Sequence, residues 1–147
     1  MKSPLYIIPL SFLTGLFLTA CGEEPRPDFD LSEALIIDTR ERSQWAIHHV
    51  TGARHVDWDC IVLAMRVLEV NEDDPIVIYG SSATGASRAE TSLRNMDFQL
   101  VRNAGSMQEA AELLERPVVR PDNMEPDEHE EAIVEACDER RQIRHNL

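Results

Sequence analysis

Short apolar runs alternate with amphipathic segments between residues 35 and 114 of the chain. Two of these runs, 35–37 and 76–79, have the length and apolar character of buried strands. Two further short strands are predicted at 54–56 and 98–103. Four other segments place apolar residues at helical spacing: 43–47, 60–70, 86–96 and 106–114. Strands that alternate with helices predict an α/β domain, a parallel sheet that helices cover on both faces.

Two of the predicted helices begin at residues typical of helix caps. Ser106 and Glu109 have the spacing of a capping box, in which each residue binds the backbone N–H group of the other. Asp57 or Asp59 is expected to cap the N-terminus of the helix at 60–70.

The C-terminal region differs from the alternating part of the chain. Prolines at 117, 121 and 126 predict an irregular linker. The segment after them is acidic first and arginine-rich last, which suits the dipole of a helix. Its narrow apolar stripe of Ile133, Ala136 and Cys137 favours docking on the same domain, and the alternative is a helix that binds a partner.

The N-terminus resembles a bacterial lipoprotein signal peptide. Lys2 precedes an uncharged, largely apolar run that ends at Ala20, and Cys21 follows. The resemblance implies cleavage before Cys21, lipidation of its thiol, and an anchor in the bacterial cell envelope that faces the periplasm. Gly22 mildly favours the outer over the inner membrane. The alternative is an uncleaved transmembrane anchor. The predicted organisation is a signal peptide (1–20), a tether (21–31), one domain (32–116) and a linker with an acidic helical tail (117–147).

The charge of the chain narrows its possible partners. The 14 basic and 27 acidic residues give a net charge of −13. So negative a protein is not expected to bind nucleic acid, because that affinity depends on neutralising phosphates. The negative charge also disfavours adsorption to anionic lipid. We therefore expect the acyl chains of the lipidated Cys21 to make the membrane contact. The oligomeric state stays open.

Cys60 and Cys137 are the remaining cysteines, and two interpretations of them stay open. They could form a disulfide, or each could pack as a small apolar side chain. The five histidines form no HExxH pattern and the cysteines form no CxxC pair. No metal site and no cofactor are therefore expected.

The segment "IVIYGSSATGASRAE" at 76–90 joins a predicted strand to a predicted helix. Backbone N–H groups at such a turn, together with the helix dipole, favour a bound anion. The predicted ligand-binding loop consists of Gly80, Ser81, Ser82, Ala83, Thr84 and Gly85.

Four motifs in order, "LIIDTR", "WAIHHVTGARHV", "IVIYG" and "NAGSMQEA", resemble the single-domain rhodanese family over about residues 35–114. Asp38 and Arg40 match the D-x-R motif of the family, and His49 and Gly52 match its next motif. The resemblance implies about five parallel strands, with the active-site loop after the central strand. We interpret Asp38 and Arg40 as a structural pair near this loop, and His49 as a hydrogen-bonded structural histidine.

The resemblance also identifies a missing residue. The family's catalytic cysteine, which carries sulfur as a persulfide, falls on Gly80, and its loop arginine falls on Gly85. Ser81 and Ser82 cannot substitute, since a hydroxyl forms no persulfide and no activating base is evident. The sequence thus predicts a degenerate member without sulfurtransferase activity, a binding or accessory module for a small anion or a protein. One alternative is thiol activity through the displaced Cys60. The other is an envelope interaction protein that uses its C-terminal helix.

Overall fold

The computed structural model describes residues 28–81, 83–120 and 128–147. Its strands are β1 (Leu35–Asp38), β2 (His49–Val50), β3 (Arg54–His55), β4 (Ile76–Tyr79), β5 (Val101–Asn103) and β6 (Val118–Val119). Its helices are α1 (Arg42–Trp45), α2 (Ile61–Val67), α3 (Ala83–Arg94), α4 (Met107–Leu114) and α5 (Glu128–His145). A 3₁₀ turn, Trp58–Cys60, precedes α2.

Four strands form a parallel sheet in the order β3-β1-β4-β5. The predicted α/β fold with a parallel sheet is confirmed, with four strands in the described part of the chain where about five were expected. The two remaining strands form a separate antiparallel pair, in which His49 lies opposite Val119. The prediction of an irregular linker is therefore wrong at Val118–Val119, where the chain forms a strand.

Side chains of the inner strands alternate between the two faces of the sheet, as the strand period of two requires. Ile37 and Ile78 lie on one face, in a core with residues of α2, α3 and α5. Ile36 and Tyr79 lie on the other face and pack against Ala110 of α4. Helices thus cover both faces, and the carboxyl ends of all four strands meet at one edge.

The two predicted helix caps had different outcomes. Ser106 and Glu109 form the capping box at the start of α4, as the sequence predicted. The prediction that Asp57 or Asp59 caps α2 is wrong, because the N-cap residue is Cys60 and no side chain caps the helix. Both carboxylates instead bind the guanidinium of Arg141 in α5, at 2.7 and 2.9 Å.

The helix α5 packs on the sheet domain. Ile133 joins the core of α2 and α3, and a disulfide joins Cys137 to Cys60. Arg140 donates a hydrogen bond to the carbonyl oxygen of Asp59, 2.9 Å away. Ile133 and Cys137 of the apolar stripe are therefore buried within their own chain, as the favoured interpretation expected, and Ala136 is partly exposed.

Among the described residues, no helix combines the length and the apolar character that crossing a membrane requires. The predicted signal peptide, the lipidation site Cys21 and most of the tether lie outside the described residues. So do Ser82 of the predicted loop and residues 121–127 of the predicted linker.

Candidate functional site

The predicted ligand-binding loop begins at the carboxyl edge of the sheet. Tyr79 is the last residue of β4, and its carbonyl oxygen accepts hydrogen bonds from the backbone N–H and the hydroxyl of Thr39, both at 2.9 Å. Gly80 follows and is buried; its N–H donates to the carbonyl oxygen of Gly105, 2.9 Å away. This amide is already bonded, so an anion on the loop would bind other N–H groups.

The rest of the loop leads into α3. Ser81 and Thr84 are exposed, and α3 begins at Ala83. The N–H groups of a first helical turn have no partner within the helix, so this turn supplies donors at the carboxyl edge of the sheet. A Cβ added to Gly85 would lie 3.6 Å from the hydroxyl oxygen of Thr39, an ordinary contact. The backbone at position 85 therefore has room for a small side chain.

Asp38 and Arg40 form a buried ion pair at the end of β1. The Arg40 Nη2 lies 2.6 Å from Asp38 Oδ2, and its Nε lies 3.0 Å from both carboxylate oxygens. Arg40 Nη2 also donates to the carbonyl oxygen of His48 at 2.6 Å. Burial opposes the charge of Arg40, but the hydrogen bonds that it donates to Asp38 raise the pKa of Arg40. Because Arg40 is only 6% exposed and its charge is paired with Asp38, it does not offer this charge to a ligand.

Tyr79 packs beside this pair. Its hydroxyl oxygen accepts a hydrogen bond from the backbone N–H of Val50 at 3.1 Å, and the Arg40 Cζ lies 5.7 Å from its ring centroid. Burial, and next the charge of Asp38, raise the pKa of the Tyr79 phenol. The phenol therefore stays neutral and ties β2 to the end of β4.

The matched histidine motif forms a buried aromatic cluster. His49 stacks on Trp45 with ring centroids 4.8 Å apart, and its Nδ1 is 3.1 Å from the Trp45 carbonyl oxygen. The ring centroid of His55 is 5.6 Å from that of the tryptophan, and its Nε2 is 2.9 Å from the Arg40 carbonyl oxygen. Gly52 has a φ of +81°, which favours glycine at this turn. The arrangement gives each of these residues a structural role.

Cys60 and Cys137 form a disulfide across 77 residues of sequence, with their Cα atoms 5.8 Å apart. Both are buried, with 1% and 4% of their surface exposed. Cysteine acts as a nucleophile or a metal ligand only as the thiolate. Neither sulfur atom is a thiolate while the two are joined in the disulfide. Asp59 lies near the two sulfurs, but its carboxylate binds Arg141. The displaced Cys60 is thus no free nucleophile here.

A residue pair that the sequence analysis did not bring together lies beside the loop. The guanidinium of Arg88 in α3 lies over the ring of Trp58, with 4.9 Å between Cζ and the ring centroid. Trp58 is 38% exposed, unlike the buried Trp45. The sequence placed Arg88 near the start of the loop helix, but nothing in it indicates that a tryptophan 30 residues earlier holds its side chain.

Comparisons with known proteins agree with this geometry. The sequence model of the Rhodanese-like domain family matches residues 26–117. A rhodanese from E. coli, solved with anions, shares 22% identity and a TM-score of 0.52 over 60% of this chain and 99% of that one. A Rhodanese_3-like domain from Anabaena sp. shares 23% identity and a TM-score of 0.51 over 58% and 98%. A protein from Helicobacter pylori shares 14% identity and a TM-score of 0.52 over 67% and 89%.

At these identities the structural similarity establishes the fold, and the family match adds the sequence relationship. The matched range contains β1 to β5, the loop after β4 and the buried Asp38–Arg40 pair. Since the match covers more than half of the sequence, the chain belongs to the Rhodanese-like domain family.

Proposed function

We propose that this chain is a rhodanese-like domain without sulfurtransferase activity, which acts as a binding or accessory module. One observation carries the proposal: Gly80 follows the inner strand β4 where the family resemblance places the catalytic cysteine, and Cys60 and Cys137 form a disulfide. The only other cysteine of the sequence is Cys21 in the predicted lipoprotein signal.

Sulfur transfer needs a thiolate for two separate reasons. The thiolate attacks the donor as a nucleophile, and the same sulfur atom then carries the transferred sulfur as a persulfide. A glycine supplies neither function, and the hydroxyl of Ser81 cannot form a persulfide. The fold is therefore retained around a loop that has no sulfur acceptor of its own.

The direct test is the thiosulfate:cyanide sulfurtransferase assay on the full chain and on its Cys60→Ala/Cys137→Ala variant. We expect no turnover above the buffer control for either protein. Turnover that survives both replacements would overturn the proposal, because a catalytic group other than these thiols would then exist. Turnover that appears only in the reduced wild-type protein would favour the displaced Cys60 alternative.

The ligand that suits the loop is a small oxyanion. The N–H groups of a first helical turn have no carbonyl partner within the helix, and the positive end of the helix dipole lies there. The hydroxyls of Ser81 and Thr84 are on the exposed surface of the same loop. Titration with sulfate, phosphate or thiosulfate should shift the NMR signals of the amides of Ser81 and Gly85. If the amide signals stay unchanged at a high anion concentration, the loop does not bind a small oxyanion. A protein would then be the remaining candidate ligand.

The location of the module is part of the proposal. The lipoprotein-like N-terminus supports an anchor at Cys21 in the bacterial cell envelope that faces the periplasm, with the outer membrane favoured. Labelling with a radioactive fatty acid should mark the wild-type chain and not a Cys21→Ser variant. Equal labelling of both proteins would reject lipidation at this residue.

A protein partner in the envelope is the second candidate, and the surface of α5 favours it. Ile143 is 63% exposed on this helix although Ile133 is buried in the core. Pull-downs with the full chain and with an Ile143→Asp variant test this surface without removing the helix. A partner captured equally by both proteins would show that the surface around Ile143 does not bind it.

A further inference from the structure

A groove runs along the exposed side of α3, beside the predicted loop. Its volume is about 500 Å³, within the usual size range of small-molecule sites. The residues that line it are Trp58, Thr84, Ser87, Arg88, Thr91 and Ser92. None of them is acidic, although the chain has 27 acidic residues and a net charge of −13.

The charge of Arg88 is not neutralised by any residue that the structure describes. Three other arginines each bind a carboxylate: Arg40 binds Asp38, Arg94 binds Glu90, and Arg141 binds Asp57 and Asp59. The guanidinium of Arg88 lies instead over the indole of Trp58. A stacked arginine keeps its charge and its planar set of N–H donors, and the ring restricts its orientation. The groove thus contains an oriented cation with unused donors.

Of the two neighbouring hydroxyls, Ser87 and Thr91, only that of Ser87 adds a donor for a ligand. The Ser87 hydroxyl oxygen accepts a hydrogen bond from Asn103 Nδ2 at 3.3 Å, and no described residue accepts its proton. The Thr91 hydroxyl, in contrast, donates to the backbone carbonyl oxygen of Ser87 at 2.8 Å. Ser87 and Arg88 both line the groove, so both supply donors to a ligand bound in it.

We propose that this groove binds small organic anions, with a phosphate or carboxylate group on Arg88 and an apolar body against the exposed part of Trp58. Charge complementarity selects the anion, because Arg88 is a cation in a groove that no described acidic residue lines. Guanidinium groups bind phosphate and carboxylate through paired N–H donors, which gives the anionic end its orientation. The indole and the methyl groups of the threonines supply apolar surface for the rest of the ligand. The proposal does not require that the loop itself binds an anion.

The test uses the full chain and three probes: phenyl phosphate, inorganic phosphate and benzyl alcohol. Phenyl phosphate should change the tryptophan fluorescence, and a Trp58→Phe variant should abolish this change because Trp45 is buried. Benzyl alcohol, which has no charge, should bind far more weakly, and so should inorganic phosphate, which has no apolar body. Affinity for phenyl phosphate should fall as salt is added, because the anion meets an exposed cation.

Arg88→Gln is the decisive variant, and Arg66→Gln is its matched control, since Arg66 is an exposed helical arginine outside the groove. Loss of a charged hydrogen-bonding partner should weaken phenyl phosphate binding about tenfold or more, and the control should bind like the wild type. Equal affinity in the wild type and the Arg88→Gln variant, or no binding of phenyl phosphate, would overturn the proposal. NMR shifts of the loop amides with inorganic phosphate report on the loop separately, so either site can fail alone.

Discussion

Replacement of Cys60 and Cys137 by alanine should destabilise the domain more than any single surface change. The disulfide closes a segment of 77 residues. The chain-entropy model, in which a cross-link restricts the unfolded chain, gives about 4.5 kcal/mol for a loop of this length, and measured losses are typically about 2–4 kcal/mol. Such a loss corresponds to a midpoint of thermal unfolding lower by about 10 °C or more.

Urea unfolding under oxidising and reducing conditions gives the internal control. The wild-type chain should lose about 2–4 kcal/mol when a reductant is added, and the Cys60→Ala/Cys137→Ala variant should not respond to the reductant. The helix should stay docked in the variant, because Ile133 remains in the core. A wild-type free energy of unfolding that differs by less than about 1 kcal/mol between the two conditions would show that the disulfide does not stabilise the domain.

Three further variants test the polar contacts by urea unfolding. Asp38→Asn leaves the Arg40 charge buried without a carboxylate and should cost about 3–5 kcal/mol; a loss under about 1 kcal/mol would show that the pair has no structural role. Arg141→Ala removes half-exposed ion pairs and should cost about 1 kcal/mol or less, so a larger loss would make these pairs the main attachment of α5. Hydrogen bonds from the backbone N–H and the hydroxyl of Ser106 lower the pKa of Glu109. The stability difference between wild type and Glu109→Gln should therefore be present above about pH 5 and disappear as the pH falls through the lowered pKa, and a difference independent of pH would contradict this.

The strands of the sheet were predictable because the apolar pattern that indicates each strand lies within the strand itself. The runs at 35–37 and 76–79 are continuously apolar, as strands buried on both faces are. The capping box of Ser106 and Glu109 was predictable for the same reason, since both partners lie within four residues. The two-residue strand at Val118–Val119 was not, because its pairing with β2 depends on contacts about 70 residues away in sequence.

The features of the site that the sequence left open depend on residues far apart in the chain. Both disulfide formation and separate packing of Cys60 and Cys137 were consistent with the sequence, and only their distance in space decides between them. Asp57 precedes a helix as a cap would, yet its carboxylate binds Arg141, which lies 84 residues later in the sequence. The availability of loop N–H groups was overestimated, because Gly80 donates to a carbonyl oxygen in another loop.

Peptide-resolved mass spectrometry of the full chain after incubation with thiosulfate tests most directly whether the domain can accept sulfur. We expect that no residue between 28 and 147 gains a sulfur atom, because Gly80 has no thiol and the two cysteines in this range are bonded to each other. A persulfide on Cys60 or Cys137 without prior reduction, or an added sulfur atom on the loop after β4, would contradict this expectation.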